Sequence, residues 1–381
     1  YDAIYAANNE IAMMASLKGM HYINLHEVLA GEDGYLKPEY AKPCNRGNDE
    51  AVGSDIEDEI FSLLIDVITD PFTIDGGFDE KYFNQERTNL DNDILAEKND
   101  KQHYAMKRCR EIMCENEAFG LSELGYYGDG ANLTSQDLYE YYREYFLKKI
   151  PCKIFYCGKN KPYKLIDKFK KAAENGIFGD GNREKVYNEY IERKEILPEE
   201  VKYVCEEYDI SDGKLVMGMR TNTSRISEEF FALVMMNAIF GGGTSSKLFQ
   251  NVREKNSLAY YAGSRISAVK GLMIVTAGID CKEYELSKKI ILQQLEEIKQ
   301  GNISDEEFES AKKNTISNLL NLAESQYSLL DYYLDQSFLE KPITIDEYIN
   351  GISRVIKEQV IEVAKRIQLD TIYIMKGFRE E

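Results

Sequence analysis

Basic charge is scarce in this sequence. Its 381 residues hold 47 Lys and Arg against 66 Asp and Glu, a net charge of -19. Such a surface disfavours nucleic-acid backbones and anionic membranes as partners, and its plain consequence is solubility. Long apolar runs are missing too. None approaches the ~20 residues that a membrane-spanning helix needs, so no span is expected. Cysteine occurs seven times (positions 44, 109, 114, 152, 157, 205 and 281), an odd count without a CxxC pair. That argues against a disulfide framework and against zinc ligation by thiols, and points to a reduced chain in the cytoplasm. Histidine occurs three times, at His21, His26 and His103. His21 and His26 stand five apart in a predicted strand and so face opposite ways, which disfavours a joint metal role. The chain opens at Tyr1 without Met and without a signal peptide, in sequence that already reads as strand, so a preceding segment is expected.

What is present concentrates in residues 238–265, AIFGGGTSSKLFQNVREKNSLAYYAGSR. Gly241, Gly242 and Gly243 interrupt an apolar helical run and predict a turn. Thr244, Ser245 or Ser246 can cap a helix whose apolar positions are Leu248, Phe249 and Val252. From Leu258 the period becomes two, which predicts a strand with Leu258, Tyr260, Ala262 and Ser264 on one face. Arg253 ends the helix and Tyr260 opens the strand. A guanidinium and a phenol set close together can both donate to one carbonyl oxygen. Alone, each has a plainer reading: an arginine at a helix end favoured by the dipole, and a tyrosine packed in a core.

The rest reads as two parts. Two antiparallel strands are expected over residues 1–30, a loop over 31–55, and an amphipathic helix over 56–70 that Pro71 stops. A long polar helix is expected from Asp79 towards Glu115, a helix capped by Ser135, a short strand over 153–157 and a helix over 164–175. A polar segment, 181–200, reads as a linker between a first domain, 1–180, and a second, 201–381. The second begins with strands over 203–207 and 214–220 and a helix over 227–240. After the stretch above come a strand over 271–278 and helices over 284–299, 304–334 and 356–367, then a strand over 371–376. The parts echo each other: FDEKYFNQER in the first matches ISDEEFESAK in the second, with Phe83 against Phe308 and Arg87 against Lys312. The shared order of elements predicts a duplication.

At this point the chain resembles the M16 family (pitrilysin, insulinase, mitochondrial processing peptidase) over nearly all its length. FGGG-x-S-S-K-L-F-x-x-V-R-E-K-x-x-L-A-Y, residues 240–260, is similar to that family's second-domain motif. QERTNL, DKQHYAMKRCREIMCENEAFG and LAYYAGS resemble the bacterial YmfF/YfmF-type branch. The resemblance implies an α+β fold of two similar domains, each a mostly antiparallel sheet with helices packed on one face. Two such chains, a zinc-bearing sister subunit and this one or two copies of this one, would close around a peptide or unfolded polypeptide. In active members an HxxEH motif binds zinc and supplies the general base. A further Glu ligand lies seven residues after the Glu of a Glu-Arg pair, and an Arg and a Tyr seven apart hold the substrate carbonyl.

Arg253 and Tyr260 have that spacing, but HxxEH occurs nowhere in residues 1–381. From Glu86 of the Glu86-Arg87 pair the ligand position falls on Asp93, whose shorter side chain would need a shifted backbone or metal. The resemblance therefore implies a subunit without the zinc motif and without a cofactor. Two alternatives stand beside it: a zinc endopeptidase whose motif precedes Tyr1, and a non-enzymatic interaction protein that assists a translation-related modification. Asn116, Glu117 and Phe119 could line a chamber or simply form a loop. GGGTSSK is no phosphate loop, because no Gly precedes Lys247 and Leu248 stands where Ser or Thr is required.

Overall fold

The computed structural model describes residues 62–149, 154–156, 162–178, 198–336, 339 and 342–377. The expectations for residues 1–61, His21 and His26 among them, and for most of the linker lie outside the described residues. Residues 62–69 are helical and stop before Pro71. A small antiparallel hairpin follows, β1 (Thr73–Ile74) and β2 (Gly77–Phe78). Its turn is Asp75-Gly76, both at positive φ, as a two-residue hairpin requires.

Helix α1 (Glu80–Ala96) starts on Asp79, whose carboxylate accepts the Lys81 and Tyr82 amides. The long helix expected to reach Glu115 is broken. A 3-10 turn, Glu97–Asn99, precedes Asp100, whose side chain accepts the His103 amide at 3.0 Å and starts α2 (Lys101–Met113). An Asp that captures a local amide competes with helix continuation, and here it wins. Helix α3 (Ser135–Tyr141) is capped by Thr134 in a capping box with Asp137, not by Ser135, which is its first helical residue. Residues 154–156 form no strand with the other described residues; the remainder of the strand expected there lies outside the described residues. Helix α4 (Tyr163–Glu174) matches expectation.

The main sheet has five strands: β3 (Lys202–Tyr208), β4 (Gly213–Arg220), β5 (Ala259–Ser267), β6 (Leu272–Ile279) and β7 (Gln368–Gly377). Their order is β3-β7-β4-β6-β5, with β3 parallel to β7 and the other neighbours antiparallel. Leu215, Met217 and Met219 of β4 join Met273, Val275 and Ala277 of β6 in the main core. That core is closed by α5 (Phe230–Phe240), α6 (Tyr284–Lys299), α7 (Asp305–Leu322), α9 (Ile345–Arg354) and α10 (Lys357–Arg366). Each fully buried aliphatic side chain there contributes about 1.5–3 kcal/mol. The helix expected over 304–334 is two, because the chain turns at residues 323–325 before α8 (Gln326–Gln336). Helix α9 was not anticipated, although Thr344 and Glu347 form a capping box at its start.

The other face of the sheet is covered as well. Ala105 and Cys109 of α2 pack on Val216, Tyr373 and Met375. Helices therefore lie on both faces of this sheet, not on one, and the second cover comes from the first half of the chain. β4 is buried along nearly its whole length for that reason. The two matched segments share one local contact. Phe83 and Phe308 are both buried, at 8% and 5% exposure. The cation four residues on lies over each ring, Arg87 at 5.6 Å and Lys312 at 4.7 Å.

Candidate substrate-binding site

The site is built where α5 ends. Gly241 caps that helix, and its carbonyl accepts the Ser264 amide of β5 at 2.9 Å. The Ser264 hydroxyl donates to Asn237 Oδ1 at 2.8 Å. A Cβ on Gly241 would lie 2.5 Å from the Ser264 nitrogen, so glycine is needed here for close approach of helix end and strand. Of the three candidate caps, Ser246 serves: its Oγ accepts the Phe249 amide at 3.3 Å. Lys247 is buried and paired with Glu307 at 2.7 Å, and Asn251 donates to Gln294 Oε1 at 2.8 Å. These contacts fix the segment on α7 and α6.

The expected helix is a π-helical turn, Phe249–Glu254. Leu248 and Val252 are fully buried, while Arg253 points outward with 44% of its side chain exposed. Its guanidinium lies 4.7 Å from the Phe249 ring centroid and 3.6 Å from the Glu254 carboxylate. The turn closes by two bonds: the Ser257 amide donates to the Arg253 carbonyl at 3.1 Å and the Leu258 amide to the Val252 carbonyl at 3.0 Å. Ser257 takes a left-handed φ of 51° to reverse the chain.

Tyr260 then departs from the expected alternation. Ala259 pairs with Ile279 and Tyr261 with Gly278, so Tyr260 is the extra residue of a β-bulge. Strict alternation would have placed its phenol beside Ala262 and Ser264, both buried. The bulge turns it out instead, to 65% exposure, on an edge strand of the sheet. Arg253 and Tyr260 thus both face solvent at the two ends of one short, internally bonded connection. Neither lines the cavity of about 330 Å³ beside β3 or the one of about 250 Å³ beside α2.

Of the positions that the resemblance relates to zinc, Glu86 and Asp93 are described. Glu86 and Asp93 are exposed, two turns apart on α1. Glu86 Oε1 accepts from Asn89 at 3.4 Å. Among the described residues no group of three His, Cys, Asp or Glu side chains could hold an ion.

Two charged clusters were missed in the sequence. Arg220, 2% exposed, ends β4 within 2.9 Å of Asp370 and 2.8 Å of Glu117, and donates to the Met113 carbonyl at 2.9 Å. Burial alone would lower its pKa, but these carboxylates raise it. Glu117 therefore ties the segment after α2 to the sheet. Phe119 lies beneath Arg110 at 5.5 Å and Lys270 at 5.1 Å. The second cluster centres on Glu206, which accepts from Arg108, Tyr208 and Tyr373 at 2.8, 3.0 and 2.9 Å. Burial pushes its carboxyl up, but the three donors outweigh this and hold it below the usual range. An arginine closing the apolar run GKLVMGMR was the one available signal for the first cluster.

Comparison with known proteins gives the class to which this fold belongs. Residues 132–315 match the peptidase M16 inactive domain. The chain is 33% identical over 318 residues to the "Probable inactive metalloprotease YmfF" of Bacillus subtilis (strain 168), covering 83% of this chain and 72% of that protein. It belongs to the M16 peptidase family, with homology to its inactive members. A second relative, the "Uncharacterized zinc protease YmxG" of the same organism, is 29% identical over 37% of this chain and 35% of its own length. The crystal structure of a conserved protein from Enterococcus faecalis V583 superposes with a TM-score of 0.77 at 27% identity, covering 86% of this chain and 76% of that chain. The M16 inactive domain from Pseudomonas fluorescens gives 0.67 at 13% identity over 86% of this chain and 77% of its own, which shows a shared fold.

Proposed function

We infer that this chain is the non-catalytic member of an M16-type pair, with its two halves at residues 1–180 and 201–381 joined by 181–200. Its Arg253 and Tyr260 bind the backbone carbonyl of an extended polypeptide and complete the site of a zinc-bearing sister subunit or of a second copy. The bulge at Tyr260 carries this reading. A phenol serving only the core would stay in register with Ala262 and Ser264. Here the backbone departs from the ladder at the one residue that must reach a ligand, and the departure is rigid because both flanking residues stay paired. The glycine approach at Gly241 and the π-helical turn fix the other donor. A guanidinium and a phenol then supply two hydrogen bonds to one acceptor, the charged one the stronger.

The test is binding of a fluorescein-labelled unfolded polypeptide, followed by anisotropy, with Arg253→Ala and Tyr260→Phe. Both variants should keep the wild-type far-ultraviolet spectrum and bind more weakly. Unchanged binding in both would remove the pair from the site and favour the reading as an interaction protein without peptide substrate. Zinc-dependent hydrolysis by the chain alone would favour an active peptidase.

A further inference from the structure

The α2-side face of the sheet is covered over β4, β7 and the Leu272 end of β6, and is partly exposed where β5 meets the rest of β6. Register sets Tyr261 opposite Gly278, Gly263 opposite Thr276 and Arg265 opposite Ile274. Ile274 packs in the α2 cluster, so this row of alternate residues lies on the α2 side. Gly263 and Thr276 are partly exposed and Arg265 is exposed. The floor of this strip is made of small side chains. Its far end is closed by the Tyr261 ring, which lies so flat on Gly278 that a Cβ there would be 2.5 Å from it.

The charges along the strip run against those of the molecule. Lys214 lies over the Tyr261 ring at 6.0 Å, and Lys270 lies over Phe119 at 5.1 Å. Arg265 makes no ion pair among the described residues. At the Tyr261 end, burial and then the field of Asp100 push the phenol up to about 12. Arg265, with no ion pair among the described residues and on the same strip as Lys214, suits an anionic group from outside, on a chain of net charge -19.

We propose that this strip is a subsite for an acidic side chain of the extended polypeptide, with Arg265 as its counter-ion. The proposal rests on the peptide-binding reading above and adds a substrate class to it. Five strand residues separate Tyr260 from Arg265, about 16 Å at the usual rise. An extended ligand whose carbonyl is held at Tyr260 therefore presents a side chain to Arg265 roughly five residues on. A nucleic acid is disfavoured, because its many phosphates would meet the repulsion of the whole chain.

The experiment uses the full chain and two labelled, unstructured peptides that differ only by Glu or Gln at that position, read by anisotropy at low salt. The Glu peptide should bind about two- to fivefold more tightly, the range of a solvent-accessible ion pair, and the advantage should fade with added salt. Arg265→Ala should erase the advantage and leave the Gln peptide unchanged; Arg265→Glu should invert the preference. Equal affinity of the wild type for both peptides overturns the subsite while leaving the peptide-binding reading standing. Equal weakening of both peptides by Arg265→Ala also overturns it. Binding of neither peptide overturns both readings. Tighter, Arg265-dependent binding of a single-stranded oligonucleotide overturns the peptide as occupant.

Discussion

Replacing Arg220 by Met should be among the most costly single changes in the described residues. The guanidinium is 2% exposed and serves Asp370, Glu117 and the Met113 carbonyl together, each within 2.9 Å. Met keeps the length and apolar stem but leaves two acceptors, Asp370 and the Met113 carbonyl, without their donor and Glu117 without its ion-pair partner. Asp370, at 4% exposure, retains the Thr371 hydroxyl at 2.7 Å. Glu117 is 17% exposed and can turn towards water, so most of the penalty falls on Asp370. Removing one partner of a buried pair costs about 3–5 kcal/mol, a large share of the roughly 5–15 kcal/mol that holds a domain together. Arg220→Lys keeps the charge but not the fork, and should cost about 1–3 kcal/mol. Asp370→Asn leaves Glu117 to the arginine and should cost less than Arg220→Met. The double variant Arg220→Met with Asp370→Asn should be less damaging than the sum of the singles by about 1–3 kcal/mol. Urea unfolding followed by circular dichroism measures these differences, provided the slope with denaturant is shared. Amide exchange in α2 should rise in step, since Arg220 holds that helix's last carbonyl. A loss under about 1 kcal/mol for Arg220→Met, or strict additivity in the double variant, refutes the argument that stranded buried charge sets the cost.

For the Arg-Tyr pair, exposure tempers the effect: Arg253→Ala should weaken polypeptide binding about three- to tenfold and Tyr260→Phe about two- to threefold, read by anisotropy. Gly241→Ala should destabilise by about 1–3 kcal/mol in thermal or urea unfolding, because its Cβ meets the β5 backbone; an unchanged midpoint would mean the turn yields freely. Glu206 supplies a pH dependence. Its folded pKa is depressed, so its contribution is full above the usual carboxylate value and is lost as pH falls through the folded one. Glu206→Gln should flatten the stability profile over that acidic window, and an acid limb identical to wild type would contradict the assignment.

Periodicity and punctuation made most of the second half legible. The helix over 284–299 coincides with its predicted bounds, because Tyr284, Ile291, Leu295 and Ile298 repeat at helical spacing. Helix breaks were harder. Asp100 and Ser325 look unremarkable in polar runs, and only the local amide each captures, His103 and Ser328, shows that the chain restarts there. The second face of the sheet was invisible for a different reason. β4 reads as an apolar run whether one cover or two lies on it, and nothing in α2 names its partner. Arg253 and Tyr260 were singled out by spacing and resemblance, yet alternation put Tyr260 on the wrong face. A bulge shifts register by one residue without any change in composition, so it leaves no periodic trace. Arg220 and Glu206 were missed because a buried charge is recognised by its partners, and these lie far apart in sequence.

β7 lies inside the sheet, between β3 and β4, yet it is the last of the described strands to be synthesised. During translation β3 therefore has no described neighbour to pair with, and α2 waits over Val216 without Tyr373 and Met375. Long-range pairing of this kind is slow and leaves apolar surface open meanwhile. The ribosome-bound chain should thus remain a chaperone client until residues 368–377 clear the exit tunnel, whatever has already formed upstream. Stalled chains ending before and after β7 make this measurable by brief proteolysis: only the longer ones should resist, and equal resistance would place the closing step earlier.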